Sequence, residues 1–211
     1  IWNMDNQSRH EKEVVLAQIL YLFIIPTLLL YYGIIPPAFR VGLLFTVALL
    51  LYGIIKRSHW TYDDLAIRKN FIKDIIPYTI FTVVGVGFLV WISRIIPVIG
   101  HKEVYMWWED VRFLLLFVPI SVLQEVIFRG VLMKLLRHAF SNRIFIIIIN
   151  ASVFALIHII YLNYTVVLPL TFFGGVCFAW IYYRYPNLIL ISISHIILNF
   201  TAMILGFFIL R

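Results

Sequence analysis

The stretch LLLFVPISVLQEVIFRGVLM, residues 114–133, decides the fold of this chain. It is almost entirely apolar and has the length of about 20 residues that a helix needs to cross a bilayer. Glu125 lies inside it and is the only acidic residue between Val111 and Arg211. An ionisable group at membrane depth is costly unless it is paired, and such groups usually serve a function. Glu125 therefore marks a candidate functional site.

The composition outside this stretch is that of a membrane protein. Of 211 residues, 63% are hydrophobic and 13% are charged, whereas soluble domains are about half apolar and about a quarter charged. We predict one all-α membrane domain over residues 1–211, a polytopic helical bundle around a polar cavity. The apolar runs are continuous rather than alternating, which disfavours a membrane barrel. Seven spans are predicted near 14–32, 41–55, 75–96, 112–133, 144–161, 165–183 and 187–209.

The basic residues predict how the bundle is oriented. If the spans alternate, eleven Lys and Arg residues fall on the side of the N-terminus and five on the other side. We therefore place the N-terminus in the cytoplasm and the C-terminus outside the cell membrane. The net charge of +7 is explained by these loops and does not indicate a nucleic-acid partner. Segment 61–75 is expected at the cytoplasmic interface, and Trp107 and Trp108 within 103–110 are expected to anchor the outer side.

Three short clusters on three predicted helices carry the remaining strongly polar groups. They are QEVIFR (124–129), FALIH (154–158) and HIILN (195–199). Glu125 and Arg129 are four residues apart, as are His195 and Asn199, so each pair shares a helix face. A carboxylate, two imidazoles, an amide and a guanidinium can hold a water molecule, remove its proton and stabilise an oxyanion. Taken singly, these residues also fit a plain structural role, as an ion pair between helices or a hydrogen-bonded core histidine.

The three clusters resemble the motifs of the CPBP family of intramembrane proteases, which includes CAAX prenyl endopeptidases and Abi-like, bacteriocin-processing proteins. The family pattern is E-E-x-x-x-R, F-x-x-x-H and H-x-x-x-N on successive helices, and the likeness covers about 112–203. It implies an endopeptidase that acts on membrane-associated peptides or lipidated proteins. The resemblance does not distinguish among three classes of substrate: a prenylated C-terminal tail, a leader peptide and a bacteriocin precursor.

The resemblance also assigns roles to individual residues. It gives the position of Gln124 to the general base or metal-linked carboxylate, and His158 to the residue that positions or activates water. His195 and Asn199 would complete the site and stabilise the oxyanion, while Glu125 and Arg129 would pair and Phe154 would support them. Zinc is a possible cofactor at His158 and His195, since two histidines and a carboxylate can ligate it with one open position.

Gln124 departs from the family pattern, which has glutamate there. An amide has nearly the shape of a carboxylate but cannot accept a proton as a general base. We consider three explanations, in order of preference: a substitution introduced to inactivate the enzyme, a natural pseudoprotease that binds without cutting, and a catalytic role for Glu125. Adjacent helical positions differ by about 100°, so the third requires a rotated or distorted helix.

Two further readings of the clusters are open. The first is a non-catalytic scaffold for a membrane or cell-wall partner, and the second is a small transporter, which the lack of an inverted repeat disfavours.

The predicted depths of the three clusters in the membrane conflict with one another. Glu125 and His195 are predicted to lie closer to the cytoplasmic ends of their spans than His158 does to the cytoplasmic end of its own. We expect the fourth helix to continue to about Arg137 and to tilt. Cys177, in an apolar run, is expected in the core.

Overall fold

The computed structural model describes residues 2–67, 71–96 and 111–208 and shows a helical bundle. The α-helices are α1 (Trp2–Ile19), α2 (Ile25–Tyr31), α3 (Arg40–Arg57), α4 (Ile75–Ile95), α5 (Val111–Glu125), α6 (Met133–Ala139), α7 (Arg143–Leu156), α8 (Tyr164–Arg184) and α9 (Leu188–Ile204). Wider π-helical turns join α1 to α2 (Leu20–Ile24) and α5 to α6 (Val126–Leu132). Short 3₁₀ turns precede α3 (Pro37–Phe39) and follow α7 (Ile157–Ile160).

Among the described residues, five helices are long and apolar enough to cross a bilayer: His10–Tyr31, Ile75–Ile95, Leu115–Ala139, Arg143–Ile160 and Tyr164–Arg184. The predicted second span corresponds to α3, which carries basic residues at both ends, and the seventh to α9, which has only 17 residues. The predicted helical membrane bundle is confirmed. Many large apolar side chains point outward, as they do where a helix faces lipid.

The fourth span runs to Ala139, so the predicted end at residue 133 was wrong. The expected continuation to about Arg137 is confirmed. The π turn Val126–Leu132 lies in the middle of this span and directly follows Glu125. Such turns are rare inside α-helices and occur often at functional sites.

The depth conflict between the clusters is resolved by where α9 begins. A Cβ atom at Gly130 would lie 3.7 Å from Leu188 Cδ2, so the first residue of α9 is level with Gly130. At 1.5 Å per residue, this point is about 13 Å inside the end of the fourth span at Ala139. Counted along the helices from the level of Ala139, His195 is then about 24 Å deep and Glu125 about 21 Å deep. His158 is about 22 Å from Arg143, the first residue of its own span. All three side chains meet at one depth because the last helix starts inside the bundle.

The loop that follows α3 supports this deep start. Leu65 and Ala66 are buried, and the Ala66 carbonyl accepts a hydrogen bond from the Leu188 amide at 2.9 Å. Tyr182 donates its hydroxyl to the Leu65 carbonyl at 3.2 Å. Within segment 61–75, expected at the interface as a short helix or loop, residues 62–66 and 72–74 form turns, and Leu65 and Ala66 reach into the bundle. The unsatisfied N-terminal amides of α9 are partly capped by this loop.

Helices α7 and α8 pack closely because Gly175 faces α7. A Cβ atom there would lie 3.2 Å from both Ala151 Cα and Phe154 Cδ1. Small residues allow such backbone approach between membrane helices. Cys177, two residues further along α8, is exposed, so its predicted place in the core was wrong. Residues 103–110, with Trp107 and Trp108, lie outside the described residues.

Candidate active site

The Glu125 carboxylate is the centre of the site and is fully buried. Its Oε1 accepts hydrogen bonds from Arg129 Nη1 at 2.8 Å and from His195 Nδ1 at 2.5 Å. The expected contact between Glu125 and Arg129 is thus present on one helix. The bond to His195 was not predicted, because nothing in the sequence says how α5 and α9 face each other.

The Arg129 guanidinium is held between aromatic rings as well as by the carboxylate. Its Cζ lies 4.3 Å from the centre of the Phe154 ring and 5.1 Å from that of Phe178. Both rings present negative faces to the cation. With neutral His195, the charges of Glu125 and Arg129 sum to zero, which is the state that low dielectric favours. Arg129 Nε and Nη2 are buried without a hydrogen-bond partner among the described residues.

Both site histidines are anchored through the same ring nitrogen. His158 Nδ1 lies 2.8 Å from the carbonyl oxygen of Phe154, to which it must donate. His195 Nδ1 donates to the Glu125 carboxylate. Each bond fixes the tautomer and leaves Nε2 as the nitrogen with a free lone pair. In this tautomer both imidazoles are oriented to accept a proton or to ligate an electrophile through Nε2.

Phe154 stands between these groups. Its ring centre is 4.9 Å from that of His158, 5.8 Å from that of His195 and 5.2 Å from that of Phe128. Phe154 is almost fully buried and also covers the Arg129 cation. Phe154, the first residue of the FALIH cluster, therefore sets the distance between the two histidine rings. On the far side of His158, Tyr161 and Phe208 complete an aromatic wall.

Gln124 and Asn199 lie at the edge of this centre. Gln124 is half-buried, one position away from the buried Glu125. Asn199, one turn after His195, donates from Nδ2 to Ser121 Oγ over a long 3.4 Å. Ser121 is one turn before Glu125 and was missed by the sequence reasoning. The pairs Glu125–His195 and Ser121–Asn199 show that α5 and α9 run antiparallel, with polar contacts on successive turns.

Asn150 is a second residue that the sequence reasoning missed. Its Nδ2 donates to the Phe128 carbonyl at 2.7 Å, and its side chain is fully buried. The Met133 amide, five residues on, bonds to the same carbonyl, as a π turn requires. Asn150 thus fixes α7 against the turn that carries Arg129. Asn150 could have been found from the sequence, because it is the one amide side chain in the apolar run RIFIIIINASVFAL and such residues often bond between membrane helices.

The donor set is incomplete for zinc. His158 and His195 fit, since zinc-bound histidines usually donate their other nitrogen to a carboxylate or carbonyl, as here. Among the described residues, however, no group of three or more His, Cys, Asp or Glu is placed to hold a metal. An amide at Gln124 leaves two imidazoles where three protein ligands are needed. No catalytic step is therefore derived through a metal.

The three clusters lie within a region that is similar to a known protein family. Residues 106–201, just under half of the chain, match the family described as Type II CAAX prenyl endopeptidase Rce1-like. The family consists of proteases, and its matched region contains the helices that bear Glu125, His158 and His195. No curated protein and no solved structure matches the chain.

Proposed function

We propose that this protein is an intramembrane endopeptidase that hydrolyses peptide bonds of membrane-associated peptides or lipidated proteins. The observation that carries the proposal is the buried Glu125–His195 hydrogen bond next to Arg129, inside the region that matches the CAAX prenyl endopeptidases. A charged pair and an oriented imidazole at membrane depth are expensive to maintain without a function.

The chemistry follows from the tautomer of His195. Because Nδ1 donates to Glu125, Nε2 can take a proton from a water molecule as that water attacks the scissile carbonyl. The carboxylate then stabilises the imidazolium, while Arg129 pairs with the same carboxylate oxygen. Asn199 Nδ2, whose bond to Ser121 is long, supplies a donor for the oxyanion. His195 returns its proton to the leaving amine, which completes the hydrolysis.

This mechanism gives Glu125 a larger role than the family pattern does. The pattern assigns the base to the first glutamate, which is Gln124 here. We propose that Gln124 impairs the enzyme without abolishing the oriented Glu125–His195 pair. In this proposal a carboxylate at position 124 would add a second base and, with His158 and His195, the missing third ligand for zinc.

The direct test compares this chain with its Gln124→Glu variant, reconstituted in liposomes, on a broad library of membrane-tethered peptides with and without prenyl groups. Faster cleavage by the variant, lost again on His195→Ala, is the expected result. If neither form cleaves any peptide, the endopeptidase proposal is wrong. Added zinc and a chelator in parallel reactions establish whether the variant depends on the metal.

The second candidate is a non-catalytic pseudoprotease that binds a membrane or cell-wall partner, favoured by the amide at Gln124. Affinity purification from the source membrane distinguishes the two. A stoichiometric partner retained after both Gln124→Glu and His158→Ala would favour the scaffold. A protein captured only by the uncleaving form would be a substrate and would favour the enzyme, including one that processes bacteriocin precursors.

We further propose that the protein lies in the cell membrane with its N-terminus in the cytoplasm and its C-terminus outside. The support is the excess of Lys and Arg on one side. On that side Lys134 pairs with Asp64, and Asn187 bonds to Asp74. Cysteines introduced into the loops at the exposed positions Ser58 and Leu162 should differ in labelling by an impermeant maleimide, the second alone reacting in intact cells.

A further inference from the structure

A cavity with a mixed apolar and basic wall lies at the end of the bundle far from the Glu125 site. Its volume is about 550 Å³, and it opens between α1, the end of α6 and the start of α7. Its wall includes the side chains of Lys12, Arg137, His138, Phe140, Ser141 and Phe145. No acidic residue lines it, although Glu11 and Glu13 flank Lys12 along α1.

The cavity is at the level where the hydrocarbon ends. The first span begins at His10, the fourth ends at Ala139 and the fifth begins at Arg143. Three membrane helices thus have one end beside the cavity. A ligand here meets the region of the lipid headgroups rather than the acyl core.

Arg137, which lines the cavity, and Arg143, at the start of α7, lie against the same tyrosine ring. Arg137 Cζ lies 4.3 Å from the centre of the Tyr183 ring, and Arg143 Cζ lies 5.1 Å from the same ring. Within the described part of the chain, neither guanidinium is paired with a carboxylate. Lys12 adds a third positive charge from α1. Like charges held together repel each other unless an anion lies among them.

Apolar groups form the remaining wall. Phe140 and Phe145 pack against each other with ring centres 4.9 Å apart. A free phosphate would use only the charged part of the cavity, whereas a phospholipid would also bring acyl chains to the aromatic wall and to the exposed faces of α1 and α7. Basic pockets between membrane helices at headgroup level are suited to anionic lipids.

We infer that this cavity binds the phosphate headgroup of an anionic phospholipid, with Lys12 and Arg137 as its principal cations. The Tyr183 ring holds Arg137 in place, and Ser141 offers a hydroxyl donor. Neither the endopeptidase proposal nor its test depends on this site.

The test measures binding of phosphatidylglycerol to the full chain in neutral detergent by native mass spectrometry. The Lys12→Gln/Arg137→Gln variant should bind about 30-fold more weakly, because each basic residue near an anionic headgroup contributes about one kcal/mol. The matched control is Lys56→Gln/Arg57→Gln, which removes the same charge at the end of α3, away from the cavity. It should bind like the unaltered chain, and thermal unfolding should show that both variants are folded.

Three results would overturn the inference. The first is equal loss of phosphatidylglycerol from both double variants, which would mean general charge attraction. The second is binding of zwitterionic phosphatidylcholine as tight as that of phosphatidylglycerol. The third is binding of inorganic phosphate as tight as that of the lipid, which would make this a site for the free anion.

Discussion

Glu125 Oε1 receives hydrogen bonds from His195 Nδ1 at 2.5 Å and from Arg129 Nη1 at 2.8 Å, so one carboxylate oxygen links two helices at mid-membrane. The other oxygen, Oε2, is buried without a partner among the described residues. The carboxylate thus neutralises the Arg129 guanidinium and orients the His195 ring.

Removing either member of the Glu125–Arg129 pair should be strongly destabilising. Glu125→Leu and Arg129→Leu each leave a buried charge without its partner, at a cost of about 3–5 kcal/mol. The double variant should cost less than the sum of the two, by about 1–3 kcal/mol. Unfolding in mixed micelles of rising SDS content measures all three free energies. Simple additivity would show that the two side chains do not depend on each other.

Glu125→Gln should separate orientation from charge in catalysis. The amide has the shape of the carboxylate but cannot stabilise an imidazolium on His195, so cleavage should fall at least about 100-fold. The measurement is kcat/KM on the best library peptide, in the Gln124→Glu form so that activity is well above background. His138→Gln, a histidine outside the site, is the control and should leave kcat/KM unchanged. Full activity of the Glu125→Gln form would remove Glu125 from the mechanism.

Gly175→Ala should loosen the packing that sets the position of Phe154. The new methyl group would lie 3.2 Å from Ala151 Cα and from Phe154 Cδ1, which is too close without a shift of α7 or α8. We expect a loss of about 1–3 kcal/mol in unfolding free energy and weaker activity. Gly174→Ala is the matched control, since its methyl group would meet nothing within 4 Å. Equal unfolding midpoints for the two variants would show that the close approach is not required.

The loop after α3 should respond to acid through Asp64. Lys134, 2.5 Å away, and Thr61 hold the pKa of the Asp64 carboxyl well below its ordinary value of 3.8. A lowered pKa contributes stability that is present above the ordinary value and is lost as the pH falls towards the lowered one. At neutral pH, Asp64→Asn should therefore increase hydrogen exchange in residues 58–67.

The increase caused by Asp64→Asn should shrink once the pH falls below about 4, because the Asp64 carboxyl then takes up a proton in the opened loop, where its pKa is ordinary, before it does so in the folded loop. Asp63→Asn changes the neighbouring acid, for which no ion pair is found in the described residues, and it should leave the exchange unaltered at every pH. A difference between the Asp64→Asn and unaltered chains that does not vary with pH would show that the ion pair with Lys134 is not the cause.

The sequence alone determined the class of fold and singled out the polar residues of the candidate site. Long apolar runs specify membrane helices because hydrocarbon offers no partners for the backbone, and polar side chains inside those runs are conspicuous for the same reason. The pairing of Glu125 with Arg129 was also predictable, since both belong to one helix. The end of the fourth span and the exposure of Cys177 could not be predicted from the sequence, because lipid-facing and core-facing residues are both apolar.

Only the tertiary structure decided which of these groups meet. The contact of Glu125 with His195 depends on α9 starting inside the bundle, at the level of Gly130. The separation of His158 from His195 by Phe154 depends on the close packing of α7 on Gly175. Sequence periodicity fixes which residues share a helix face, but the depth and rotation of one helix against another come from side-chain packing between distant parts of the chain.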